Sequence, residues 1–93
     1  MKATWNGTVI ANSENTILLE RSDYFPPQDV NMDFLRRSSH THQCPQKGEA
    51  IYYDVLVQGT TLDNAAWSYL SPGEDAAAIA GHITFSGDIE VLR

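Results

Sequence analysis

Cysteine is almost missing from this chain: Cys44 stands alone. One thiol excludes an internal disulfide, so the fold must hold by packing and hydrogen bonding, and a reducing compartment, the cytoplasm, is expected. Positive charge is scarce, with 6 Lys and Arg against 12 Asp and Glu and a formal net charge of −6. Phosphate neutralisation supplies most non-specific nucleic-acid affinity, so neither nucleic acid nor an anionic membrane surface is an expected partner. Arg36, Arg37 and Lys47 make the only basic grouping in the middle of the chain. Long apolar runs are absent, and none approaches the roughly 18 residues that a membrane-spanning helix requires. The opening MKATWNGTVIA has one lysine and no apolar core of the export-signal kind. There is no Gly-x-x-x-x-Gly-Lys-Ser/Thr loop, no Gly-x-Gly-x-x-Gly and no Gly-x-Ser-x-Gly elbow. The carboxylates are scattered, without an obvious pair to hold magnesium.

What is present suits one small domain over residues 1–93, near the size at which a single core is just adequate. The pattern is that of short strands separated by turn residues. Asn6-Gly7 lies between Ala3-Thr4-Trp5 and Thr8-Val9-Ile10, which predicts a hairpin with a type I′ turn. Thr16 to Glu20 reads as a second short strand. Tyr24-Phe25-Pro26-Pro27 cannot continue a central strand, because each proline removes a backbone donor. A short helical turn is expected near 28–35, with Val30 and Phe34 on one face. Arg36 to Gln43 is polar and suits a loop or an edge strand. Glu49 to Gln58 is the best strand. Ile51, Tyr53, Val55 and Val57 alternate with Ala50, Tyr52, Asp54 and Leu56, and burial on both sides is expected at one end. Gln58-Gly59 turns it, and Ala65 to Leu70 follows as another strand. Ser71-Pro72-Gly73-Glu74 carries helix-start signals, and Gly81 a stop, so one helix is predicted over about 72–80. Two last strands lie around Ser86-Gly87-Asp88. The expected class is mainly β, a β-rich α+β domain built as a compact antiparallel sheet or an open barrel of short strands.

The candidate chemistry gathers between His40 and Tyr53. Pro45 pushes Cys44 toward extended backbone, and Gly48 lets the chain turn before the long strand. Such a turn brings a thiol and an ammonium together, and a nearby cation raises the thiolate fraction. Lys47, with Arg36, is the expected contact for an anionic group. Tyr52, Trp67 and His82 are the expected walls or proton donors. Cys44 is the candidate nucleophile, the competing reading being a buried packing residue. His40, His42 and Cys44 alternate and form a weaker metal-ligand alternative, since structural zinc sites usually have four ligands.

The motif Cys44-Pro45-Gln46-Lys47-Gly48, with Tyr52 and Tyr53 after it, resembles that of domain-of-unknown-function family 427. The likeness extends to Ala3-Thr4-Trp5-Asn6-Gly7, Tyr24-Phe25-Pro26, Ala65-Ala66-Trp67-x-Tyr69 and Ala80-Gly81-His82-Ile83-x-Phe85. It implies a compact β-rich bacterial protein, sometimes labelled nucleotidyltransferase-like. The cofactor is left open by the resemblance. The leading functional expectation is a small anionic ligand at the Cys44–Lys47 turn. The alternative is an interaction module, a homo-oligomer or one part of a heteromer. A thiol-dependent or nucleotidyltransferase-like enzyme comes third.

Overall fold

A computed structural model describes all residues 1–93. Nine strands form three antiparallel sheets and no closed barrel. Strands β1 (Lys2–Trp5) and β2 (Thr8–Asn12) make the first hairpin, and β9 (Glu90–Leu92) pairs with the other edge of β1. Strands β3 (Ile17–Leu19) and β4 (Ser22–Tyr24) form a second hairpin. The main sheet has the order β5-β6-β7-β8, with β5 (Leu35–Cys44), β6 (Gly48–Val57), β7 (Thr60–Tyr69) and β8 (Ile83–Phe85).

Three hairpins close on two-residue turns with positive φ at both central positions: Asn6-Gly7, Glu20-Arg21 and Gln58-Gly59. This geometry matches the right-handed strand twist, which explains its preference for Asn and Gly. Two of the turns carry glycine second. Glu20-Arg21 has none, so both residues sit at φ 50° and 70° against a steric cost. Replacing Arg21 with glycine is expected to stabilise the fold by about 1 kcal/mol, read from denaturant midpoints at unchanged m-value. A loss of stability instead would mean that the arginine side chain outweighs its backbone.

Alternation along β6 comes out as expected. Tyr53, Val55 and Val57 face the larger apolar cluster, built from Ile10, Phe25, Ala66, Ile83 and their neighbours. Ala50 and Tyr52 face a smaller cluster with Tyr24, Tyr69, Ala76 and Ile79. Ala50 and Ile51 are both buried, so this end of the strand is covered on both sides. Elsewhere bulges alter the pattern. The β6–β7 register shifts where Asn64 takes φ 53°, and Ala65 and Ala66 are then buried in succession.

The helical expectations are corrected in form. Over 72–80 there is no continuous α-helix but 3₁₀ backbone from Glu74 to Ile79, broken at Ala76. Gly73, not Ser71, occupies the N-cap, and no side chain caps it. Packing overrides the start signals. Gly73 lies so close to the preceding turn that a Cβ there meets the Gln46 carbonyl oxygen at 3.1 Å. Ala76 and Ile79, three residues apart, are both buried in the smaller cluster, and three residues per turn puts them on one side. Near 28–35 there are two 3₁₀ turns, Pro27–Asp29 and Met32–Phe34. Val30 between them is extended and bridges to Ala11, so it shares no helix face with Phe34.

Candidate functional site

The Cys44–Gly48 turn joins β5 to β6, with Cys44 paired to Gly48. Gly48 adopts φ 84°, and a Cβ there meets the Ser71 carbonyl oxygen at 3.1 Å. The turn is thus clamped against the Ser71–Gly73 segment on one side. The Glu20-Arg21 turn approaches from the other. Between them lies a hollow of about 280 Å³, lined by Leu19, Glu20, Gln46, Lys47, Asp75 and Ala76.

Lys47 is the unusual residue here. A lysine is seldom buried unless paired, and this one is 8% exposed. Its Nζ donates to Glu20 Oε2 and stands 5.7 Å from the centroid of the Tyr69 ring, within cation–π range. The hydrogen bond to Glu20 holds the ammonium above its ordinary 10.5, against the opposing effect of desolvation. Glu20 itself keeps 55% of its side chain exposed. One partner is therefore fixed in the wall and the other is free to swing outward.

Three acidic protons surround the ammonium. Burial above all raises Tyr24 and Tyr69 above 10.0; Tyr69 adds to the rise at Tyr24 and Cys44 to that at Tyr69, against the pull of Lys47 on both. Both stay protonated donors at neutral pH. The half-buried Cys44 shifts the other way. Backbone N–H groups of Lys47 and then Gln46 lower its thiol below 9.0, helped by the Lys47 charge and opposed by desolvation. Alkylation of Cys44 by iodoacetamide is accordingly expected to show a pH midpoint below 9.0. Because the backbone donors lead, the midpoint should stay below 9.0 when Lys47 is changed to Met. A wild-type midpoint at or above 9.0 contradicts this geometry.

The other expected site residues separate into three places. Tyr52 and Trp67 are register partners with ring centroids 5.6 Å apart, and His40 meets Tyr52 edge-on at 4.6 Å. Tyr52, Trp67 and Cys44 all pack on the smaller cluster, beside the hollow but not lining it. Arg36 is at the far end of β5, 62% exposed and 3.4 Å from Asp54. Eight strand positions separate it from Cys44, a span on the order of 20 Å or more, so it shares no site with Lys47. His82 is half-buried, with Nδ1 3.2 Å from the Ala80 carbonyl oxygen, and it does not line the hollow. His40, His42 and Cys44 do not assemble as ligands, and no three His, Cys, Asp or Glu side chains gather at metal spacing.

Sequence reasoning missed Glu20, Tyr24 and Asp75. The two-residue gap between the Ile17–Leu19 and Ser22–Tyr24 runs was the available signal for Glu20. It was masked because Glu-Arg is not turn chemistry.

The sequence matches, over residues 1–92, the family described as "Domain of unknown function (DUF427)". The chain belongs to this family. No curated protein matches the chain. No helix is long and apolar enough to cross a membrane.

Proposed function

We propose that this DUF427 domain binds a small anion at the Cys44–Lys47 turn. The observation that carries the reading is the pairing of a nine-tenths buried ammonium with an exposed, replaceable carboxylate at the wall of a hollow. An incoming carboxylate or phosphate oxygen takes the place of Glu20 on Lys47, and Glu20 turns to the rim of the hollow. The exchange keeps the ammonium paired, so the desolvated charge is never left alone. Tyr69, whose ring lies against the ammonium, and Tyr24 supply phenolic donors to the same neighbourhood.

Size limits the ligand. At about 30 Å³ per water, the hollow takes on the order of nine non-hydrogen atoms. A nucleoside triphosphate is larger than that, and the wall carries a single cation, Lys47. Anion binding is therefore the favoured reading over nucleotidyl transfer. The test is titration of propionate and of inorganic phosphate at low ionic strength, followed by backbone amide shifts. Gln46, Lys47 and Asp75 should move together and saturably. Shifts spread evenly over the surface, or none at all, overturn the reading.

One observation favours a second reading. Strand β5 pairs only with β6 and leaves ten residues of edge unpartnered. Such an edge can accept a strand from another chain. The two extra residues between Arg37 and Thr41 interrupt it, and a bulge is a common way to blunt an edge. Light scattering across a concentration series decides it, since a stable dimer is the outcome that this reading requires.

A further inference from the structure

The hollow holds charges of both signs. Lys47 is its one cation, while Glu20 and Asp75 contribute two carboxylates. The Lys47 ammonium is buried in the wall, whereas Asp75 is exposed and has no hydrogen bond or ion pair of its own. When an anion takes Glu20's place on Lys47, Glu20 too is released. The ligand's anionic end then sits beside two carboxylates that lack a cationic partner. A simple anion meets repulsion from both, and like charges juxtaposed at a binding surface are costly. A ligand carrying its own cation a few bonds away removes that repulsion and engages both groups.

Resting on the anion-binding reading above, we propose that the ligand class is a small zwitterion, a carboxylate joined to an ammonium by a short chain. The carboxylate bonds to Lys47 and the ammonium bonds to Asp75 and the displaced Glu20. The hollow's capacity, on the order of nine non-hydrogen atoms, suits an amino acid of modest size. Gln46, whose side chain is exposed at the same wall, offers an amide to whichever end lies nearer.

The experiment compares four probes on the full chain by ligand-observed NMR and amide shifts. They are γ-aminobutyrate, glycine, butyrate and butylamine, all at one low ionic strength. At least one zwitterion is expected to bind at least tenfold more tightly than butyrate. In Asp75→Asn that advantage should shrink toward one, with butyrate affinity held or improved. Asp75 is exposed, so this variant folds as the parent does. Butyrate binding as tightly as either zwitterion overturns the zwitterion assignment and leaves anion binding standing. If no carboxylate shifts Gln46, Lys47 or Asp75, both readings fall together. Butylamine binding tighter than either zwitterion also overturns the assignment, because it removes Lys47 from the recognition.

Discussion

Lys47→Met is expected to weaken carboxylate binding by about 10- to 100-fold while leaving the midpoint of unfolding nearly unchanged. The first half follows from losing one charge-assisted hydrogen bond in a desolvated wall. The second follows from an asymmetry in the ion pair. Methionine fills much of the lysine's volume, and the half-exposed Glu20 simply hydrates. The reverse substitution behaves otherwise. Glu20→Gln leaves the buried ammonium without its counter-charge and is expected to cost about 1 kcal/mol, the lower part of the range for an unpaired buried group because water reaches the hollow. A pH series adds a further readout. Lys47 is raised above 10.5 in the folded chain, so its contribution is fully present below that value and is lost as pH rises through the folded value. Tyr24 and Tyr69, raised above 10.0, lose their contributions in the same direction. Stability should fall above about pH 10, and the fall should be shallower in Lys47→Met. If the variant binds propionate as the parent does, Lys47 is a structural group and the proposed site is wrong.

The strands were legible because their signals are local. Asn6-Gly7 and Gln58-Gly59 announce their turns, and the alternation from Glu49 to Val57 announces a strand covered on both sides at one end. What stayed hidden depends on contacts distant in sequence. Ser71-Pro72-Gly73-Glu74 reads as the start of an α-helix, yet the close approach of Gln46 and the burial of Ala76 with Ile79 select 3₁₀ turns. The candidate site divides along the same line. Lys47 and Cys44 lie within the five residues of one hairpin end, Cys44 to Gly48, so their proximity could be read directly. Glu20 lies 27 residues from its partner, and no periodicity links the two. Arg36 looked close because it is near Cys44 along the chain. An extended strand converts that nearness into distance, whereas a turn preserves it.

Phe25→Ala carries the largest expected loss of stability. Phe25 is fully buried, and its ring meets Phe85 edge-on at 5.5 Å. Its backbone N–H and C=O both bond to Ile83, each at 2.8 Å, which ties the β3–β4 hairpin to the rim of the main sheet. Truncation removes the aromatic pair and opens a cavity between the hairpin and the main sheet. A buried Phe→Ala change costs about 3–5 kcal/mol. For a domain of this length that is a fall of more than about 12 °C in midpoint temperature. The consequence extends to the hollow. Tyr24 and Glu20 belong to the hairpin that Phe25 anchors, so its loosening moves the carboxylate off Lys47. In the folded fraction of Phe25→Ala, the Lys47 and Gln46 amides should therefore shift even without ligand. Phe25→Leu, which refills most of the volume, should restore both the midpoint and those shifts toward the parent. A midpoint loss below about 4 °C would place the tie between hairpin and sheet elsewhere than at Phe25.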